Sequence, residues 1–456
     1  KEGFMEEAKK PMGWKELYLK EDWWAIYLGL GIVAATLLCF YTGSSLLKSL
    51  SVLPPSWSDY SKLVDHFSTN AVWYALQFLI WLTVFTISTK IMGFKQSEYI
   101  PSFIFLYVLS ILIFIIGEYK PLSANGFEAP LVALLVGLFI SNTLPVPKWM
   151  DAGFRVEYYI KTGIVLLGAT LPFMLVIWAG PTAFMQATII SVVTCLTIYF
   201  VAHKLFGLDK RFGAVLGVGA AICGVSAAIA VGGAVKAKKE HISITITLVT
   251  IWAIVMIFFI PYFSRMLNLA PGPVGAWVGS SEFADAAGFA AAVSYGKMVG
   301  NEEAAVRAFT LMKVIGRDIW LGIWSFIFAL IACLKWEKEE CGTRPDASEI
   351  WWRFPKFVLG FFIASVIITI ITSGYSQADY DKIIKPELIK PIKSLRSWAF
   401  IFCFLSIGLT TRFKELAAAG KKPFWAFTIG VIVNVTLGFI LSVLIMGRFW
   451  IEKTAQ

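Results

Sequence analysis

The chain has 456 residues, of which 58% are hydrophobic and only 15% charged, and a formal net charge of +10. Its mean hydropathy is +0.72, and apolar windows of about 20 residues, the length that spans a bilayer, recur from end to end. This excludes a soluble globular class and makes the positive charge a property of loops facing anionic lipid, not of a nucleic-acid surface.

Enzyme chemistry has no foothold in the residues. The six Cys are scattered, with Cys39, Cys195, Cys223 and Cys403 inside apolar segments, and the three His are dispersed. No metal-ligand spacing, secretory disulfide framework or Ser-His-Asp set is present. The Gly-rich pieces at Gly217–Gly219 and Gly232–Gly233 lie within apolar spans and lack the strand–turn–helix setting of a phosphate loop. The sequence therefore predicts neither enzyme, cofactor nor metal.

In chain order, residues 1–22 read as a charged amphipathic segment without a signal peptide's cleavage pattern. Spans are predicted at Trp23–Tyr41, Ala71–Met92 and Pro101–Tyr119, rich in Trp, Phe and Leu, as lipid-facing scaffold. A short segment, Ala129–Ile140, follows, then Tyr158–Trp178 and Thr182–Phe206. The seventh, Phe212–Ala234, carries Ala220-Ala221-Ile222-Cys223-Gly224-Val225-Ser226-Ala227-Ala228 at its centre, almost all small. A break near Gly224 would leave the half-helix from Val225 with free N–H groups and a positive dipole end at membrane depth, as discontinuous transporter helices do. The other reading is a small-residue face for close helix packing. An eighth span, Ile242–Met266, precedes a second odd segment, Val274–Gly296, with Ser280-Ser281-Glu282-Phe283-Ala284-Asp285 in it. Ala304–Leu334, Phe357–Ser373, Pro391–Thr411 and Pro423–Phe449 complete about thirteen segments.

With the N-terminus cytoplasmic and every segment crossing, the cytoplasmic side takes the larger share of Lys and Arg, as the positive-inside rule requires. One loop, Lys236–His241, votes the other way.

The chain also matches itself. Gly168-Ala169-Thr170-Leu171-Pro172-Phe173 aligns with Gly408-Leu409-Thr410-Thr411-Arg412-Phe413 at an offset of 408 − 168 = 240, and the register holds through Gly180/Gly420, Val193/Val433 and Gly207/Gly447. The copies, about 158–207 and 398–447, are an odd number of segments apart and so antiparallel, which places a substrate site at the repeat interface near the midplane. A duplicated scaffold without transport is the alternative.

Charges inside apolar segments mark pathways or neutralise one another. The candidates are Glu282, Asp285, Lys313, Arg317 and Asp318; Lys313 and Arg317, four apart, share a helix face. Both cations, with the N–H groups at Cys223, Gly224, Val225 and Ser226 and the hydroxyls of Ser280 and Ser281, form an expected anion site. Glu282 or Asp285 would carry a coupling proton or ion. Lys161, Glu157 and Arg396, near span ends, are expected to snorkel.

Three stretches carry a family resemblance: Lys161-Thr-Gly-Ile-Val-Leu-Leu-Gly-Ala169, Ala221-Ile-Cys-Gly-Val-Ser-Ala227 and Ile407-Gly-Leu-Thr-Thr-Arg-Phe413. Together they resemble the YeiH-type sulfate exporter family over roughly Ala129–Met446. The resemblance implies the bile-acid symporter and cation/proton antiporter superfamily: two broken helices crossing at the membrane centre, and a core that slides as an elevator against a dimeric scaffold. It implies export of sulfate or a related oxyanion or sulfonate. The family's His in the second odd segment is missing here, Asp285 stands for its Asp, and Lys313 and Arg317 match its Lys and Arg at a spacing one residue longer.

The expectation is thus an all-α polytopic membrane protein of about 11–13 transmembrane segments, with inverted repeats and two broken crossing helices. Residues 23–127 would be scaffold and 128–456 the transporter domain, in a homodimer of the inner membrane moving a small anion. A sodium- or proton-coupled carrier of the same build, or a channel or membrane subunit of a larger complex, are the alternatives.

Overall fold

A computed structural model describes residues 13–123, 129–171, 173–336, 355–376, 379–412 and 420–454. Most of the amphipathic N-terminal segment, Pro172, the basic loop 337–354 and the repeat positions 413–419 lie outside the described residues. In chain order the helices are α1 Glu21–Thr42, α2 Tyr60–Ile91, α3 Gln96–Gly117, α4 Ala129–Thr143, α5 Val156–Gly168, α6 Phe173–Phe200, α7 Lys210–Ala221, α8 Val225–Ala234 and α9 Lys239–Met266. They continue as α10 Pro271–Ser281, α11 Asp285–Met298, α12 Glu302–Thr310, α13 Trp320–Ile331, α14 Phe357–Thr372, α15 Lys390–Thr410, α16 Lys421–Phe439 and α17 Gly447–Thr454. Among the described residues there is no strand, and seven helices are long and apolar enough to cross a membrane. The sequence's fifth span ends early: the chain turns at Gly168–Leu171, through Thr170 N–H to the Leu167 carbonyl. The next helix then runs straight through Pro181.

The chain divides into two compact units. One comprises 14–176 and 356–412. The three N-terminal spans therefore sit in one body with α4, α5, α14 and α15, and no boundary falls at 127/128. Its centre is α15, whose Trp398 stacks on Tyr107 at 4.8 Å and whose Phe402 meets Phe103 at 5.3 Å. Two hallmark glycines allow backbone contact: a Cβ at Gly168 would strike the Phe361 carbonyl, and one at Gly408 the Leu134 carbonyl and Gly137. Lys161 does not snorkel. It pairs with Asp22 at 2.8 Å and Glu157 at 3.4 Å, while Arg396 is buried and donates to Thr170 Oγ1 at 2.7 Å.

Of the described residues, the other unit takes 177–336 and 420–454, with Gly13 and Pro355. Here α6 packs on α16 and on the π-helical run that continues it, Ile440–Ile445, through Gln186–Ser442 (2.6 Å), Thr194–Asn434 (2.9 Å) and Ile198 against Gly430. As one number rises the other falls by the same amount, so the two helices are antiparallel. Thr194 and Asn434 are themselves mates at the 240-residue offset.

The two odd segments are not crossing helices. Arg211, at the start of α7, donates to the Lys236 carbonyl beyond the end of α8 at 3.3 Å; Phe212 and His241 stack at 4.3 Å; Val215 lies beside Gly232. The chain goes in on α7 and returns on α8. Likewise Tyr295, late in α11, donates to the carbonyls of Ser264 and Leu269, just before α10. The reversal has a backbone cause. Ile222 (φ −126°, ψ −111°) and Gly224 (φ 69°, ψ −94°) turn the chain back, a path open to glycine. At 1.5 Å per residue, arms of ten to fourteen residues reach roughly 15–21 Å, half of a ~30 Å hydrocarbon core or a little more. Helix α9 runs from the foot of the first hairpin to the foot of the second, so the hairpins enter from opposite ends. This also accounts for the dissenting loop: Lys236–His241 lies at the same end as Lys204–Arg211.

Single cysteines replacing Lys204 and Lys238, in a background without native cysteines, are expected to react with an impermeant maleimide from the same side of the membrane, and one replacing Arg265 from the other. Labelling of positions 204 and 238 from opposite sides would restore the crossing helix.

Candidate functional site

The hairpin tips meet. A Cβ on Gly224 would lie 2.6 Å from the Phe283 carbonyl oxygen and 2.4 Å from Val249 Cγ1. Gly224 is thus required twice, by its positive φ and by the second tip pressed against it. The second hairpin is seated by Gly275 and Gly279, where a Cβ would strike the carbonyls of Ala305 and Phe309, a close approach of α10 to α12.

Between α12 and α13 the chain widens into a π-helical run, Leu311–Arg317. Such a run takes up an extra residue within a helix, which suits the one-residue-longer spacing noted above. It carries Lys313 and Arg317, both fully buried. Lys313 Nζ donates to the carbonyls of Ile222 (2.6 Å) and Glu282 (3.3 Å) and pairs with Asp285 at 3.2 Å. Arg317 donates to Ala220 (3.0 Å), Ala221 (3.2 Å), Gly279 (3.2 Å) and Glu282 (2.8 Å). These carbonyls are the orphan acceptors at the C-terminal ends of α7 and α10, where the helix dipole is negative. Each cation thus spans both tips.

The opposite, positive ends belong to α8 and α11. Glu282 is fully buried; its Oε1 accepts from the N–H groups of Phe283 (2.9 Å) and Ala284 (3.4 Å), capping the second hairpin, while its Oε2 has no hydrogen-bond partner among the described residues. The N-cap of α8 is Gly224, which has no side chain to give. Val225, Ser226, Ile229, Ala230 and Gly233 of α8 are half-buried, as are Ala284 and Asp285 at the start of α11, where the Asp285 side chain is 13% exposed. The buried residues of α8, with Ile229 and Ala230 beside them, pack with Leu321, Trp324 and Phe328 of α13.

The structure therefore gathers Cys223, Gly224, Val225, Ser226, Glu282, Asp285, Lys313 and Arg317 around one point. The hydroxyls of Ser280 and Ser281 turn elsewhere: Ser280 to the Trp277 carbonyl at 2.8 Å, Ser281 toward the Asn434 carbonyl at 3.5 Å, both against Gly438 of α16. Sequence reasoning missed Val249, the carbonyls of Ala220 and Gly279, and Asn434. Only Asn434 had a signal, as the repeat mate of Thr194. No metal-ligating cluster occurs among the described residues.

An all-helical body with seven bilayer-length helices and two half-depth hairpins is a multi-pass membrane protein. The chain belongs to the family described as Conserved hypothetical protein 698, whose model matches residues 101–427. It is similar to a UPF0324 membrane protein of Rhodopirellula baltica, 32% identical over 423 residues, covering 91% of this chain and 75% of that protein. A UPF0324 membrane protein of Nitratidesulfovibrio vulgaris is 32% identical over 377 residues, and the chain spans 64% of its length. One from Nitrosomonas europaea is 27% identical, with 94% of this chain and 95% of the relative covered. No solved structure matches.

Gly224→Ala is expected to cost about 2 kcal/mol or more, from overpacking and a disfavoured φ together, and Arg317→Met about 3 kcal/mol or more, from carbonyls left without donors. Ser280→Ala, within the hairpin–α16 packing, is expected to cost about 1 kcal/mol. Thermal unfolding of purified protein in detergent checks the order.

Proposed function

We propose that the protein is a secondary transporter that moves a small anion across the inner membrane, with its site where the two hairpin tips meet. The observation that carries this is the pairing of a half-buried helix start with glycine at its N-cap, Val225–Ser226, with the Lys313–Asp285 ion pair that Lys313 ties to the same tip through Ile222. The N–H groups of α8 and the Ser226 hydroxyl receive the anion. A proton taken up by Asp285 releases Lys313 from its partner and turns that charge toward the anion, so proton and anion move together. Arg317 holds the tips in register and Glu282 keeps the second hairpin capped. The YeiH-type resemblance names the substrate class as sulfate, a related oxyanion or a sulfonate.

The proposed inverted repeat suits the mechanism. Within each unit its halves pack antiparallel: α6 on α16, centred on Thr194 and Asn434, and α5 with the turn after it on α15, where Gly163 meets Phe400 and Thr170 meets Arg396. With the hairpins counted as returns, thirteen segments become eleven crossings, and the copies still run in opposite directions. The end holding Lys204, Lys210, Arg211, Lys236 and Lys238 is cytoplasmic under the positive-inside rule, and the same count puts the N-terminus inside. An elevator movement in a homodimer is the transport cycle this architecture suits.

One observation favours a second reading. Asp285 is a carboxylate 13% exposed, whose cationic partner a sodium ion could replace, which would make the protein a sodium-coupled carrier.

Purified protein screened for thermal stabilisation against sulfate, sulfite, thiosulfate, sulfonates, carboxylates and sodium is expected to respond to one oxyanion class; a ligand at 100 times its Kd adds about 2.7 kcal/mol. Flux of that anion into proteoliposomes should fall at least tenfold in Asp285→Asn, with the unfolding midpoint within a few degrees of the parent's. Undiminished flux removes Asp285 from the cycle; stabilisation by sodium alone selects the second reading.

A further inference from the structure

At the cytoplasmic foot of the first hairpin lies a cavity of about 530 Å³, far from the tips, lined by Lys210, Arg211, Lys236, Lys238 and Lys335 with two imidazoles, His203 and His241. Among the described residues that line it, five cations face one carboxylate, Asp209, and that carboxylate is already used: its Oδ1 caps α7 by accepting from the N–H groups of Arg211 (2.9 Å) and Phe212 (3.2 Å). Trp336 supplies an aromatic wall.

A second, independent sign comes from the backbone. Lys236 has φ 51°, the left-handed region that a helix terminus normally gives to glycine or asparagine. Its role there is a helix end: Lys236 N–H reaches the Gly233 carbonyl and Ala237 N–H the Gly232 carbonyl. Among the described residues the other non-glycine with positive φ is Asn268, a side chain that tolerates it. A lysine at such a place keeps a charge where the backbone would favour none.

The cavity is built from helix ends: the close of α6, the start of α7, the end of α8, the start of α9 and the residues after α13. That is the level of lipid headgroups. Basic pockets between transmembrane helices at this level suit phosphate-bearing headgroups, and Arg engages phosphate bidentately while Lys acts as a point charge.

We infer that this cavity is a binding site for a phosphate-bearing anion, separate from the transport site. Both arms of the first hairpin are rooted in it, so a bound phosphate ties α7 to α8 at their base.

The test uses delipidated full-length protein in an uncharged detergent, and does not depend on transport. Its unfolding midpoint is measured with phosphatidylglycerol, with phosphatidylcholine, with inorganic pyrophosphate, and with sodium chloride at matched ionic strength. The parent is compared with the double variant Lys236→Gln/Lys238→Gln, both exposed, and with Lys421→Gln/Lys422→Gln, an equal charge loss at another exposed place. The expected result is a rise of several degrees with phosphatidylglycerol, at least halved in the 236/238 variant and kept in the 421/422 variant. The same pattern with pyrophosphate alone identifies a soluble phosphate compound as the source and equally supports the site. No stabilisation by either phosphate compound, an equal effect of salt, or equal loss in both variants overturns it.

Discussion

A backbone carbonyl stranded halfway through a bilayer is the constraint on which this molecule turns. Two hairpins stop at that depth, and each ends its inward helix with acceptors that neither water nor the next turn can satisfy. Lys313 and Arg317 answer for both at once, with six hydrogen bonds to the carbonyls of Ala220, Ala221, Ile222, Gly279 and Glu282. Buried charge is costly, yet here it is spread over dipoles of the sign it needs. The tips can touch at Gly224 and Phe283 because the cations hold them from behind.

The arrangement leaves the two hairpins unequal. The second is buried along most of both arms, and Glu282 holds the N–H groups of its turn. The first leaves Val225, Ser226, Ile229, Ala230 and Gly233 of α8 half-buried and has only glycine at its inner cap. An ion approaching the meeting point therefore finds a glycine-started helix on one side and a carboxylate-lined turn on the other.

Much of this could be read from residues alone. Small residues around Gly224 and Ser281, carboxylates at 282 and 285 and cations at 313 and 317 all marked the centre, because lipid permits such residues only with a purpose. The direction of the chain after each break could not be read. A broken crossing helix and a hairpin share the same local sequence, and the choice rests on contacts such as Arg211 with Lys236 that are distant from the break. The charge pattern held a clue: Lys236–His241 contradicted a crossing segment and fits a returning one. The turn at Gly168–Leu171 was missed because the apolar run continues through it to Trp178, and Pro181 lies inside the following helix, as membrane helices allow. Ser280 and Ser281 looked like ligands, but hydroxyls on a helix flank reach whichever neighbour lies there, and here it is α16.

The Thr194–Asn434 bond has a historical corollary. If the two copies descend from one shorter chain, these positions were once a single residue. On the proposed repeat, their contact would mean that this residue faced itself in a partner molecule, an isologous contact. Fusion freed each side to change alone, and a self-matching pair could become threonine and asparagine, a combination that symmetry between identical subunits would have forbidden.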